Sequence, residues 1–380
     1  MIKRRYGIKL LFSLCFMGIM LSGCANKKVV SETELIQENN YWKSTDEEYK
    51  ELIEQIDNYC QNNMSGSICV ATDNQILYTA GFKVKEVDGE TVVGPFTTYE
   101  IGSVTKQFTA AAILQQVEKE TISLDETLDK YFPLYPQGKR ITIDNLLHMR
   151  SGIRDFVGDS ISFFGVDVLK ELIEGKRSAD SLKEFDEERI LEGLYPLDLQ
   201  FIPGVGYGYS NTNYFLLTLI LENVTGMSYE EYLKQNIFDI CGMSDTCAGE
   251  TGNIKAVPAQ NMGYLPANFA QGSGDIHSTV IDMIKWDRAL MSGKILSNEQ
   301  LEYMCKSKPI TNNYGYGCGM KTYKDFLYYH DGGTLGFVSS NNIFYDSEGR
   351  HIYLITLSTE YPLNPETDYL MSVIKDYLDK

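Results

Sequence analysis

Histidine, tryptophan and cationic residues are scarce in this 380-residue sequence. It has four His and two Trp, and its 34 Lys+Arg are outnumbered by 52 Asp+Glu, which gives a net charge of −18. Proteins that bind nucleic acids concentrate positive charge, so the composition argues against nucleic acid as a partner. Neither Cys-x-x-Cys nor clustered His spacing occurs, so we expect no metal and no cofactor. A Gly-x-Ser-x-Gly motif is also missing, which argues against the α/β-hydrolase class.

The overall composition is that of a folded globular protein. Hydrophobic residues make up 43% and charged residues 23% of the chain, and the length is sufficient for one large or two interleaved domains. The 32 Gly and 26 Tyr suggest an enzyme or a binding protein that contains β-sheet and many tight turns.

The first 23 residues have the pattern of an export signal. Cationic residues precede an apolar run over residues 10–21, and a small-residue cleavage site follows. The ending Leu21-Ser22-Gly23-Cys24 resembles the bacterial lipobox, in which the cysteine is acylated and becomes the new N-terminus. An uncleaved anchor is the alternative, but the run is shorter than the ~20 residues of a membrane span. Both interpretations predict a protein held on the outer face of a membrane, in the first case by a lipid anchor.

The remaining sequence divides into a tether and one large domain. Residues 24–43 are polar without a sustained period, which predicts a flexible tether, and residues 44–380 form the predicted domain. Six more cysteines follow Cys24. In an exported protein they permit disulfides, and free buried thiols are an equally open alternative.

Both ends of the domain contain strand and helix patterns. Apolar residues at helical spacing predict a helix over 45–62 that Ser44 would cap, and residues 67–71 and 75–81 are typical of a hairpin. Near the C-terminus, a helix is predicted to start at Asn364-Pro365-Glu366. Before it lie four strand-like runs, at 314–323, 326–331, 337–346 and 351–360.

The middle of the chain is mostly helical in pattern. We therefore predict an α/β (α+β) fold in which about 44–103 and 256–380 form an antiparallel β-sheet flanked by the N- and C-terminal helices. A mostly helical domain is inserted at about 104–255. Residues 155–199 within it form either a lid over a cleft or a solvated helical pair.

Ser103 and Lys106 are the first candidate site residues. Spacing of three places the hydroxyl and the ammonium about one turn apart on one helical face. A serine at a helix N-terminus also lies where the dipole and the free N–H groups favour negative charge. The same spacing recurs at Ser372 and Lys375 in the C-terminal helix, where we interpret it as a solvated surface pair. The pattern is therefore not diagnostic by itself.

Tyr209-Ser210-Asn211 is the second candidate element, and it follows a glycine-rich loop. Glycines at this density predict a sharply turned backbone that presents side chains to a cleft. Tyr209 could act as a general base only if its pKa fell toward the working pH, and a neighbouring Lys cation would lower it by stabilising the phenolate. The alternative is a packed loop tyrosine.

His330-Asp331-Gly332-Gly333 closes a strand-like run and is the third element. A glycine-rich strand edge lets a substrate approach the backbone closely, and an exposed N–H there can donate to an oxyanion. We interpret the other three histidines as hydrogen-bonded structural residues, namely His148, His277 and His351.

Together and in this order, the three elements resemble the serine β-lactamases and penicillin-binding-protein-type hydrolases. The branch they resemble most contains class C β-lactamases, DD-carboxypeptidases and related esterases. Segments 101–110, 141–153, 201–226 and 274–286 are similar to the family beyond the motifs themselves, so the resemblance covers about residues 60–360.

The resemblance implies a role for each candidate. Ser103 would be the acylated nucleophile, Lys106 and Tyr209 its proton-transfer partners, and Asn211 a substrate contact. The N–H groups of Ser103 and Gly333 would form the oxyanion hole. The substrate would be a small molecule or a wall peptide.

One departure from the family bears on the substrate. His330-Asp331-Gly332 stands where the lactamases of the branch have Lys-Thr-Gly, although His330 remains the matching substrate-binding position. Replacement of a lysine by a histidine, whose imidazole has a pKa near 6.5, removes most of one positive charge at pH 7, and Asp331 adds a negative charge. We therefore expect weak binding of carboxylate-bearing β-lactams, and cleavage of ester or D-amino-acid amide or peptide bonds at the cell envelope. A true β-lactamase and a slowly deacylating penicillin-binding or sensor lipoprotein are the alternatives.

Overall fold

The computed structural model describes residues 40–249, 254–259, 262–360 and 364–380. The export signal, Cys24 and all of the tether before residue 40 lie outside these described residues. Within the described ranges, no helix is both long enough and apolar enough to cross a membrane.

Antiparallel β-sheet forms the centre of the fold. The described strands are β1 (Tyr41–Lys43), β2 (Gly66–Thr72), β3 (Ile76–Phe82), β4 (Tyr99–Glu100), β5 (Cys247–Ala248), β6 (Ile276–Ser278), β7 (Lys308–Pro309), β8 (Tyr314–Tyr316), β9 (Lys321–Tyr323), β10 (Leu327–Gly333), β11 (Val338–Tyr345) and β12 (His351–Ser358). The large sheet has the order β1-β3-β2-β12-β11-β10-β9-β8-β7, and the small one β4-β6-β5. Pairing of β2 with β12 therefore joins the two ends of the chain.

Helices cover both faces of the large sheet. The described α-helices are α1 (Lys50–Asn63), α2 (Thr105–Glu118), α3 (Ile143–Leu147), α4 (Ser160–Phe164), α5 (Val168–Ile173), α6 (Glu187–Leu194), α7 (Asn211–Thr225), α8 (Tyr229–Leu233), α9 (Asp239–Cys241), α10 (Val280–Met291), α11 (Asn298–Cys305) and α12 (Asn364–Leu378). On one face, α1 and α12 share a core with the sheet around Ile56, Leu354 and Ile374. The opposite face shares a larger core with α2, α7 and α10, which includes Phe108, Leu217 and Trp286. The predicted fold class is confirmed.

Four boundaries differ from the predicted ones. Residues 41–43, assigned to the tether, pair with β3 as strand β1, and the Trp42 indole N–H donates to the Ile76 carbonyl at 3.3 Å. The first helix begins at Lys50 and not at 45, because Ser44 accepts the Asp46 N–H within a turn before it. The run over 314–323 is split into β8 and β9. The part after 256, predicted as sheet, also contains α10 and α11.

Residues 155–199 pack apolar side chains against the domain and expose charged ones, an arrangement that is compatible with both predicted interpretations. Phe163, Leu182 and Phe185 are buried, and the rings of Phe164 and Phe185 lie 4.3 Å apart. The action of this segment as a lid stays a prediction. Three of the cysteines are free thiols, namely Cys241, Cys305 and Cys318. The six cysteines after Cys24 therefore do not form a complete set of three disulfides.

The turn before α2 lies so close to β10 that there is no room for side chains. Gly102 has a φ of 50°, and a Cβ there would lie 2.7 Å from the nitrogen of Gly333. A Cβ on Gly332 would lie 2.0 Å from the Ile101 carbonyl oxygen. The Ser339 hydroxyl donates to that same oxygen at 2.7 Å. These contacts join the start of α2 to the end of β10.

Replacing Gly102 with Ala should therefore lower the free energy of unfolding by about 3 kcal/mol, since a left-handed backbone costs about 1–2 and overpacking about 1–3 kcal/mol. Gly89→Ala is the matched control. Gly89 also has a positive φ, of 75°, but a Cβ there meets nothing within 4 Å. The free energy of unfolding of Gly89→Ala should therefore fall by only about 1–2 kcal/mol, the cost of the left-handed backbone. Urea unfolding of both variants measures the difference, and equal losses would contradict the close approach.

Candidate active site

Ser103 and Lys106 lie together at the start of α2. A 3₁₀ turn, Gly102–Val104, leads into the helix, so Ser103 precedes the first helical residue by two positions. The Lys106 side chain is fully buried, and its Nζ lies 3.1 Å from the Ser103 hydroxyl oxygen. Ser103 itself is partly exposed. The predicted pair is therefore brought together at the boundary between the helices and the sheet.

Lys106 has two further partners, and both are oxygen atoms that can only accept hydrogen bonds. Its Nζ donates to Asn211 Oδ1 at 2.7 Å and to the Ser273 carbonyl oxygen at 2.7 Å. A neutral amine has two N–H bonds and one lone pair. With both N–H bonds used on these acceptors, the lone pair is left for the Ser103 hydroxyl. In this arrangement Lys106 can take the serine proton.

The burial of Lys106 favours that neutral form. The pKa of the Lys106 ammonium is lowered from its ordinary 10.5 to about 7, mainly by burial and to a smaller extent by the positive charge of Lys321. The negative charges of Asp155 and Asp275 act in the opposite direction. At neutral pH a substantial fraction of Lys106 is therefore uncharged, unlike an exposed lysine.

Asp155 holds Asn211 in the orientation that Lys106 needs. One Asp155 carboxylate oxygen accepts the backbone N–H of Asn211 at 2.9 Å, and the other accepts its side-chain amide N–H at 3.3 Å. With the amide nitrogen directed at Asp155, the amide oxygen is directed at Lys106. Asp155 also places a negative charge at the N-terminus of α7, where the helix dipole favours it. Sequence reasoning gave Asp155 no role, because no spacing links it to Asn211.

The glycine-rich loop places Tyr209 over Lys106. A Cβ on Gly206 or Gly208 would lie 2.6 or 2.8 Å from the Phe201 ring, so the loop folds around that ring only with glycine there. Lys106 Nζ lies 4.9 Å from the centre of the Tyr209 ring, a distance typical of a cation–π contact.

Tyr209 is protonated at neutral pH. Burial raises the pKa of its phenol well above 10, although the nearby Ser103 hydroxyl counteracts this effect. The phenol oxygen is buried, and no hydrogen bond of good geometry to it is found among the described residues. The condition under which Tyr209 would be a base, a lowered pKa, is therefore not met. A neutral phenol is suited to donating a proton.

The N–H of Gly333 points away from β11, toward the open edge of β10. The Thr334 N–H donates to Phe337 and the Tyr345 N–H to Phe326, each at 3.0 Å, and the register between them is regular. Because successive N–H groups in a strand alternate sides, that of Gly333 points to the other edge. There β9 pairs only with Leu327–Tyr329. The Gly333 N–H is thus next to Gly102 and available to an oxyanion beside Ser103.

His330 is near the other candidates but buried. It is 1% exposed, its Nδ1 lies 2.7 Å from the Asp331 carbonyl oxygen, and its ring centre lies 6.0 Å from that of Tyr209. Burial lowers the pKa of His330 well below 6.5, and the charges of Lys321 and Lys106 lower it further. His330 therefore contributes no positive charge, and its contact with substrate stays a prediction.

The other three histidines and the second Ser-x-x-Lys pair lie outside this cluster, in the structural and surface roles predicted from the sequence. His148 contacts Asp144 at 3.0 Å, and His351 contacts Asp73 at 3.2 Å. His277 is buried, and its Nδ1 lies 3.8 Å from the Cys247 sulfur. Ser372 is exposed and Lys375 pairs with Asp379, so this second Ser-x-x-Lys is a surface pair.

An antiparallel sheet with helices on both faces and a Ser–Lys–Tyr cluster at its edge defines a serine hydrolase. The model of the beta-lactamase family matches residues 52–375, and the chain belongs to this family. The family of serine hydrolases includes penicillin-binding proteins and D-amino acid amidases.

Three known proteins illustrate the similarity. Penicillin-binding protein 4* of Bacillus subtilis (strain 168) is 26% identical over 83% of this chain and 72% of its own length. A D-aminopeptidase of Gluconobacter oxydans (strain 621H) is 26% identical over 69% of this chain and 49% of its own length. The structure of D-amino acid amidase from Ochrobactrum anthropi SV3 superposes with a TM-score of 0.68 at 23% identity, over 87% of this chain and 99% of that one.

Proposed function

We propose that the protein is a cell-envelope serine hydrolase that cleaves ester or D-amino-acid amide and peptide bonds through an acyl-enzyme on Ser103. The observation that carries the proposal is the buried Nζ of Lys106, which donates to two acceptor oxygens at 2.7 Å and lies 3.1 Å from the Ser103 hydroxyl oxygen. In the neutral amine the lone pair is then left for the serine proton. The D-aminopeptidase and the D-amino acid amidase among the similar proteins favour the amide of a D-amino acid as substrate.

Acylation follows from the protonation states. Lys106 accepts the Ser103 proton as the serine oxygen attacks the carbonyl carbon, and the N–H groups of Ser103 and Gly333 stabilise the resulting oxyanion. Tyr209, a neutral phenol, then donates its proton to the leaving nitrogen or oxygen, and the Lys106 ammonium returns a proton to Tyr209. The C–N or C–O bond breaks, and the acyl group remains on Ser103.

Deacylation uses the same groups with water as nucleophile. The neutral Lys106–Tyr209 pair takes a proton from water, the hydroxide attacks the ester carbonyl, and Ser103 leaves with a proton. If this water cannot reach the ester, the same site becomes a stoichiometric trap, which is the penicillin-binding or sensor alternative. A true β-lactamase is the other alternative. The neutral His330 argues against this β-lactamase alternative, because the lactamases have a lysine at the matching position.

The outer face of the bacterial cytoplasmic membrane, or another envelope membrane, is the location we propose. The support is the lipobox-like ending at Cys24, after which a lipid anchor would hold the domain. Growth of cells with a labelled fatty acid tests this. The unmodified protein should carry the label in the membrane fraction and the Cys24→Ala variant should not, and an unmodified protein without label would contradict a lipid on Cys24.

Removal of the proposed catalytic groups should abolish hydrolysis without unfolding the protein. Ser103→Ala should show no hydrolysis of p-nitrophenyl esters or D-amino-acid p-nitroanilides and no acyl adduct by intact mass. Lys106→Ala and Tyr209→Phe should each lose about 10²–10⁴ in kcat/KM, the range of general acid–base catalysis. The double variant should lose little more, because the two act as one proton-transfer unit.

Ser372→Ala is the matched control, since Ser372 belongs to the other Ser-x-x-Lys pair on the surface. It should retain the activity and the adduct. Hydrolysis by Ser103→Ala at the unmodified rate would contradict the proposal, and additive losses would contradict a shared proton network. A single acyl group per protein without turnover, on every substrate including a chromogenic cephalosporin, would favour the trap.

A further inference from the structure

An ion pair lies beside the catalytic groups on the open edge of β10. The Lys321 ammonium lies 3.2 Å from a carboxylate oxygen of Asp331, and the Ser340 hydroxyl donates to the other oxygen at 3.0 Å. The side chains of Lys321 and Asp331 are 29% and 46% exposed. Both charges can therefore be reached from solvent, in contrast to the buried His330.

The register places this pair where a substrate would run along the strand. Lys321 is the first residue of β9 and lies opposite Tyr329, so β10 has no partner strand on that side beyond Tyr329. Asp331 and Gly333 follow on the same open edge, and their backbone groups point outward along it. Lys321 reaches from the last paired position to Asp331, two residues before the proposed oxyanion donor Gly333.

Lys321 is also close enough to act electrostatically on the catalytic groups. Its charge disfavours the cationic forms of both Lys106 and His330, in each case after the larger effect of burial. A positive charge that acts on Lys106 at this range also acts on a bound substrate. The open edge of β10 thus has a cation beside it, supplied by β9, although the segment His330-Asp331-Gly332 supplies none.

We propose that Lys321 recognises a carboxylate of the substrate and that Asp331 limits this recognition by competing for the same ammonium. The inference rests on the proposed function and specifies its substrate class, namely acyl compounds whose leaving group carries a free carboxylate, such as a C-terminal amino acid. Hydrogen bonds between ionised groups are stronger than neutral ones, so the pair can discriminate by charge. Because Asp331 neutralises Lys321, such substrates bind more weakly than to an unpaired lysine.

Two chromogenic thioesters that differ only in charge provide the test: benzoyl-D-alanyl-thioglycolate and its methyl ester. The measured quantity is the ratio of kcat/KM for the acid to that for the methyl ester. Lys321→Met should lower this ratio about 10- to 100-fold, the range of a hydrogen bond to a charged group. Lys321→Arg should retain it, because the charge is kept. Asp331→Asn, which keeps the shape and an acceptor for Ser340, should raise it.

Lys324→Met is the matched control, because it removes the same charge from the turn directly after β9. Its ratio should equal that of the unmodified protein. The inference is wrong if Lys321→Met lowers both rates equally or neither, or if Asp331→Asn leaves the ratio unchanged. If the unmodified protein hydrolyses both thioesters while the ratio is insensitive to residue 321, only this inference fails. If it hydrolyses neither and carries no adduct on Ser103, the proposed function fails with it.

Discussion

The chemistry of this protein depends on one buried amine. Lys106 is fully buried on α2, where an ammonium would need three acceptors and full compensation for its lost hydration. The Asn211 amide oxygen and the Ser273 carbonyl can only accept hydrogen bonds, whereas the third neighbour, the Ser103 hydroxyl, can either accept or donate. Burial therefore shifts Lys106 toward the neutral form, and the hydroxyl next to it becomes the group whose proton it can accept. The same burial that lowers the pKa of the lysine raises that of the Tyr209 phenol, so one environment prepares a base and an acid.

The packing of the fold serves to hold that amine and the open strand edge together. Gly102 and Gly332 let the turn before α2 contact the end of β10, which brings the backbone next to Ser103 close to the nitrogen of Gly333. Asp155 fixes Asn211 from a separate segment of the insertion. The site therefore needs five segments that are far apart in the chain: the start of α2, Asp155, the loop with Tyr209 and Asn211, Ser273 and the end of β10. The charges around the site differ from those in family members that have Lys-Thr-Gly in place of His330-Asp331-Gly332. Here His330 is buried and neutral, while Lys321 and Asp331 are partly exposed.

Side-chain identity explains which parts of the site were predictable. Ser103, Lys106, Tyr209 and Asn211 could be found because the three short elements, in their order along the chain, resemble a known family, although no single spacing was diagnostic. The structure brings all four together. The Ser273 carbonyl could not be found, because every residue has one. The pKa of Tyr209 was expected to need lowering by a cation, and burial, a property of the tertiary structure, raises it instead. The sheet was predictable from a hairpin pattern and from strand-like runs, whereas β1 required the contact of Trp42 with a distant strand.

The most direct test of this account is the pH dependence of the first acylation of Ser103 by an uncharged p-nitrophenyl ester, measured as the burst rate in stopped flow. If neutral Lys106 accepts the serine proton, the rate rises with pH and levels off with an apparent pKa of about 7. A rate that does not change with pH, or that is still rising in proportion to hydroxide at about pH 9, where a base of ordinary lysine pKa would still be mostly protonated, would contradict it.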